Sequence, residues 1–142
     1  MTMASTGVRF GICGTAVVRA ADAMLRSLGG AEVSVLFPLS ALPGDSSAQL
    51  GLVDPGVEEV KFSPVVVLNL PTENTGPRQR VEFLLSASAV AAEAADRSLA
   101  SGLALLAGAL GVMHQGDLFH IEGIVTECFG GTEYLYRVTG VE

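Results

Sequence analysis

Residues 116–142, GDLFHIEGIVTECFGGTEYLYRVTGVE, decide how the fold is read. Phe119, Ile121 and Val125 alternate with their neighbours in the first half, and Tyr134, Tyr136 and Val138 alternate in the second. A period of two marks strands with one buried face. Gly130-Gly131 stands between the halves and supplies the positive φ angles that a tight turn needs. The stretch predicts an antiparallel β-hairpin at the end of the chain.

Upstream of the hairpin lies an Ala-rich segment, residues 88–110, that predicts one long helix capped by Ser86 or Ser88. Leu99, Leu103, Leu106 and Leu110 recur there at spacings of four, three and four, a single apolar stripe. Glu93 and Arg97 form an i,i+4 pair on another side. No charge follows Arg97 within the helix, so the reading has its second half covered by something.

Before that helix, Val81 to Leu85 extends as a strand, and residues 71–80 read as a turn-rich loop opening with PTENTGP. Val57 to Leu70 reads as one or two strands. Its run Val65-Val66-Val67-Leu68 suits burial on both faces, with Pro64 at a strand start or a bulge. Residues 40–56, which contain Pro43-Gly44 and Asp54-Pro55, read as a long loop with a short strand at Gln49 to Val53. Ala31 to Leu39 is a strand. Ala16 to Leu28 is a helix stopped by Gly29-Gly30, with Val17, Ala21, Met24 and Leu28 on one face and an Asp22–Arg26 pair. Val8 to Cys13 reads as a short strand or the lead into that helix, after a loose terminus at residues 1–7. The sum is a single α+β domain over residues 1–142. Its sheet is mainly antiparallel, with barrel-like closure as one arrangement, and it carries a short N-terminal helix and a long Ala-rich one.

The composition restricts function. Charged residues make up 16% of the 142 and apolar residues 49%, with a mean hydropathy of +0.49. An average soluble domain carries about a quarter charged residues. The most apolar stretch, Ser98 to Met113, is interrupted by Ser101, Gly102, Gly108 and Gly111. It is also shorter than the roughly 20 residues a bilayer requires, which argues against a membrane span. No cationic region precedes an apolar run at the N-terminus, as a signal peptide would have it. A soluble chain so poor in charge must hide apolar surface, and neighbouring copies are the natural place. The net charge of −7, one lysine and scattered arginines, of which only Arg78 and Arg80 lie close together, argue against sequence-specific nucleic-acid binding. An acidic surface remains compatible with passing DNA without holding it. Cys13 and Cys128 show no metal spacing and read as buried thiols in a reduced setting.

Catalytic patterns are sparse. Cys13 and Arg19 form C-x5-R, and VRFGICGTAVVRAADAML looks like the start of a low-molecular-weight tyrosine phosphatase. That resemblance implies a thiolate nucleophile at Cys13, a phosphate clamp at Arg19 and a general acid at Asp54-Pro55. The sequence departs from the family after the arginine, where Ala20 replaces a hydroxyl residue, and at Thr15 and Ala16, where the family has glycine and asparagine. The family's acid also lies near its C-terminus, whereas Asp54 is in the first half of this chain. His114, His120 and Glu122 sketch a metal site that reads better as turn and strand residues. Ser86 and Ser88 have no histidine near them in sequence for a hydrolase triad. The residues therefore call for no catalytic group, no cofactor and no metal.

GDLFHIEGIV, a turn and EYLYRVTGVE, with the helix-to-strand pattern AADAMLRSLGGAEVSVLF, resemble small phage neck proteins of the head–tail stopper or adaptor kind. The resemblance covers about two fifths of the chain, in strand and turn patterns. The long Ala-rich helix is a departure from a minimal stopper barrel and leaves a tail terminator open. What the resemblance implies is a non-enzymatic virion component, assembled in the bacterial host cytoplasm into a ring of about six or twelve copies. Its partners would be further copies of itself and the neighbouring portal, adaptor or tail proteins. The contacts expected in such a ring are Leu99, Leu103, Leu106 and Leu110, or the loop at residues 40–56. An oligomeric bacterial domain that binds a ligand or a protein is the alternative.

Overall fold

The computed structural model describes residues 2–39, 56–71 and 78–142, with side chains from Thr15 onward. In chain order it holds helix α1 (Thr2–Ser27), strands β1 (Ala31–Pro38), β2 (Val57–Leu70) and β3 (Arg80–Ser86), and helices α2 (Ala87–Asp96) and α3 (Gly102–Ala107). Strands β4 (Gly111–His114), β5 (Asp117–Phe129) and β6 (Thr132–Val141) follow. The strands pair antiparallel in the circular order β1-β2-β3-β6-β5-β4, with β4 returning to β1 to close a barrel.

Strand alternation builds the interior. Val33, Val35 and Phe37 of β1, Val81, Phe83 and Leu85 of β3, and Tyr136 and Val138 of β6 all point inward and are buried. Phe83 meets Phe119 edge to face with ring centroids 5.6 Å apart. On β2, the register slips between Ala31↔Val65 and Val33↔Phe62, so Ser63 and Pro64 sit in a bulge. Proline has no N–H to give a ladder, and a bulge is where a strand can hold it. Val65 and Val66 are buried, while Leu68 at the outer end is exposed, so double-sided burial holds for only part of the apolar run.

The β5–β6 hairpin turns at Gly130 (φ 58°) and Gly131 (φ 80°), the two positive angles of a type I′ turn. Along β5 one expectation fails. A bulge between Ile121 and Gly123 inserts Glu122 and reverses the faces beyond it. Ile124 therefore packs against the core and Val125 is 53% exposed, although Val125 falls in phase with Phe119 in the sequence.

The long Ala-rich helix is two helices. Ser98 adopts φ 56° after α2, and Ser101 caps α3 by accepting the Ala104 N–H at 3.1 Å. An unbroken helix over residues 88–110 would run about 35 Å, past the barrel. The break instead folds α3 back, so that Val90 and Ala94 of α2 and Leu105 and Leu106 of α3 join the core where β3 stops.

Helix α1 packs outside the barrel against β2, β3 and β6, burying Leu25. It is longer than the short helix expected and begins at Thr2: residues 2–7, expected as a loose terminus, are helical, as are residues 8–13, where no strand forms. Gly30 returns its N–H to the Leu25 carbonyl at 3.0 Å and ends the helix. The short strand expected at Gln49 to Val53 lies outside the described residues, as does most of the loop at residues 40–56.

Candidate functional site

Apolar side chains that a lone chain leaves in water define the surface of interest. Leu99, Leu103 and Leu110 are 41%, 44% and 50% exposed, whereas Leu106 is 1% exposed. The four leucines do not form one stripe, because the break at Ser98 places Leu99 between the helices and turns Leu106 into the core. Leu110 follows α3 and its N–H donates to the Leu36 carbonyl at 2.7 Å, which fixes Leu110 to β1.

A second apolar feature is a groove of about 310 Å³ between α1 and the outer wall of the barrel. Val17, Ala21, Met24 and Leu28, the face expected from the α1 sequence, line its helical side. Leu84, Phe129, Tyr134 and Leu135 line the other. The sequence signal for this wall was present but weak. Leu84 and Leu135 occupy outward positions of β3 and β6 where alternation would place polar residues, and they lie on adjacent strands (Leu84↔Arg137, Ser86↔Leu135).

Next to the groove, β5 runs on past its partner. β4 pairs only with Asp117, Leu118 and Phe119. From Gly123 to Phe129, β5 has β6 on one side and, among the described residues, no backbone partner on the other. Val125, Cys128 and Phe129 on this stretch are exposed, so Cys128 is not the buried thiol expected from the sequence.

The polar groups are engaged in holding elements together. Asp22 of α1 accepts hydrogen bonds from the hydroxyls of Ser86 at 2.6 Å and Ser88 at 2.9 Å, tying α1 to the start of α2. This is the use the fold makes of the two serines and of Asp22, in place of the expected pair with Arg26. Arg137 bridges Glu82 at 2.9 Å and Glu127 at 3.2 Å on the outer face, and both carboxylates raise its pKa. Arg97 pairs with Glu93 at 2.9 Å, as its spacing predicts, and also with Glu58 at 2.8 Å, while lying over the Phe37 ring. The Tyr136 hydroxyl donates to Glu133, and burial first, then that bond, pushes its pKa above the ordinary range.

The residues weighed for catalysis and metal binding are not brought together. The His114 ring lies edge-on to Phe83, with centroids 6.1 Å apart, while His120 is exposed on β5 opposite Val141. Among the described residues no group of three or more His, Cys, Asp or Glu is placed to hold a metal. The backbone from Cys13 to Arg19 is helical, so it does not form a strand–loop–helix cradle. Asp54 and the Cys13 side chain lie outside the described residues. Among those residues no helix is long and apolar enough to cross a membrane. No protein family, curated protein or solved structure matches the chain.

Proposed function

We propose that this chain is a structural subunit of a phage or phage-like particle, self-assembling into a ring at the head–tail neck or in the tail. The observation that carries the reading is the exposure of Leu99, Leu103 and Leu110, near a helix turn whose fourth leucine is committed to the core. Each of these side chains is about half exposed and so forgoes about half of the roughly 1.5–3 kcal/mol that full burial supplies. In a chain only 16% charged, contact with further copies is the physical means of recovering it. An acidic balance of −7 suits a ring that lets DNA pass without gripping it. The portal, adaptor or tail proteins would then be its neighbours in the virion.

The test is the native mass by light scattering across a range of concentrations, with negative-stain imaging of the largest species. Closed rings, present at the outset or forming cooperatively on concentration, support the reading. A strict monomer at every concentration sinks it.

One observation favours a second reading, a domain that binds an apolar ligand. The groove beside α1 falls in the size range of small-molecule pockets, about 300–1,000 Å³. A rise in melting temperature with long-chain aliphatic acids, absent in Leu84→Glu, would support it.

A further inference from the structure

We infer that the groove between α1 and the barrel wall holds one uncharged aliphatic chain, of the long-chain alcohol class, laid along α1 from Val17 to Leu28. This rests on the ligand-binding reading and fixes the class of the ligand.

The groove arises from short side chains held at a distance. Ala20 and Ala21 line its helical side and cannot reach across to Leu84 and Leu135. Leu25, buried beside them, and the bonds from Ser86 and Ser88 to Asp22 set how far α1 stands from the wall. Met24, Leu28 and Phe129 line the groove yet are exposed, so it opens to solvent and an occupant covers apolar surface from both walls. The shape selects a chain. From Val17 to Leu28 the helix rises about 16 Å, the length of an extended chain of roughly twelve carbons. At about 310 Å³ the groove is too small to admit a helix, which is about 10–12 Å across with its side chains.

Charge selects the head group. Of the lining side chains only Tyr134 carries a hydrogen-bonding group, its hydroxyl. Arg19 and Arg26 of α1 fall about half a turn round the helix from Val17, Ala21 and Leu28, on the side away from the groove. Arg137 stands directly across from Leu84 in the β3–β6 register, but Glu82 and Glu127 both hold it. Two carboxylates against one guanidinium leave that corner negative. A carboxylate head emerging beside it meets repulsion and no unpaired cation among the described residues, in a chain already at −7. A hydroxyl head carries no charge to be repelled and can exchange a hydrogen bond with Tyr134.

The experiment is titration calorimetry of the whole chain at neutral pH with hexanol, octanol, decanol and decanoate. One saturable site is expected. Affinity for the alcohols should rise about ten-fold for each two carbons, as burial of methylenes requires, and decanol should bind at least about three-fold tighter than decanoate. Met24→Lys places an ammonium at the mouth of the groove, at an exposed position where the chain still folds, which far-UV circular dichroism checks. It is expected to bring decanoate level with decanol or ahead of it. Decanoate bound by wild type as tightly as decanol overturns the uncharged class and leaves the ligand-binding reading standing. No saturable binding of either overturns both. A preference unmoved in Met24→Lys overturns the placement along α1.

Discussion

The α-carbon of Gly102 lies so close to Tyr136 that a Cβ added there would stand 2.5 Å from the phenolic oxygen and 2.8 Å from a Val90 methyl. Gly102 opens α3, and its missing side chain lets α3 lie down on β6 and α2. Alanine in a helix is worth up to about 1 kcal/mol over glycine, which would favour replacement. Overpacking a filled core costs about 1–3 kcal/mol and opposes it. The clash involves a ring held by its own hydrogen bond to Glu133, so it prevails. Gly102→Ala is expected to lower stability by about 1–2 kcal/mol, read from urea unfolding; an unchanged midpoint would show that Tyr136 gives way freely.

Leu103 and Leu106 should separate cleanly. Leu106→Ala removes a side chain from the core and should cost about 2–5 kcal/mol in unfolding free energy. Leu103→Ala should cost under about 1 kcal/mol, while Leu103→Glu lowers the native mass of any assembly without unfolding the chain. Equal destabilisation by the two alanine variants would place Leu103 in the core instead.

Removing Asp22 leaves one of the two hydroxyls without an acceptor, since Ser86 and Ser88 lie 2.8 Å apart and can bond each other, and releases α1 from the start of α2. Ser86 also caps α2 by accepting the Ala89 N–H at 3.4 Å, so the cap itself survives. Asp22→Ala is expected to cost about 1–3 kcal/mol and to speed amide hydrogen exchange in α1 before it does so in the barrel strands. Uniform acceleration across helix and barrel would show that α1 unfolds only with the whole domain.

Alkaline pH tests Tyr136. Its folded-state pKa is raised above the ordinary value, so the folded chain keeps a proton that the unfolded chain loses. Its contribution is complete below about pH 10, the unfolded value, and is lost as pH rises from there toward the folded one. Unfolding free energy should therefore fall as pH rises from about 10 in wild type and fall less in Tyr136→Phe. Parallel slopes in the two proteins would remove Tyr136 as the cause.

Local rules reached much of this fold. β1 starts at Ala31, as its alternation indicates, and the end of α1 at Gly29-Gly30 and the Glu93–Arg97 pair follow from adjacent residues. The missed features depend on distant partners. The local sign of the break near Ser98 is the capping residue Ser101, which the surrounding alanines and leucines outweigh in the sequence, and the core waiting for Leu105 and Leu106 turns the chain back. Glu122 reads as an ordinary strand residue until the register with β6 makes it a bulge. Of the candidate surface, the α1 face of the groove was legible from helical spacing. The β5 edge left uncovered among the described residues was not, because an edge is defined by its neighbours in the sheet.

Closure of the barrel between β1 and β4 also sets an order of events during synthesis. Ser34 pairs with Met113, so the last seam cannot form until most of the chain has left the ribosome. Until then β1 can pair only with β2, and the β1 flank that β4 later occupies stays open. Contacts so distant in sequence are slow to form, and a nascent strand flank left waiting is vulnerable to pairing with the wrong chain. For many copies made side by side, the seam between Ser34 and Met113 is the point where folding and mispairing with another chain compete in time.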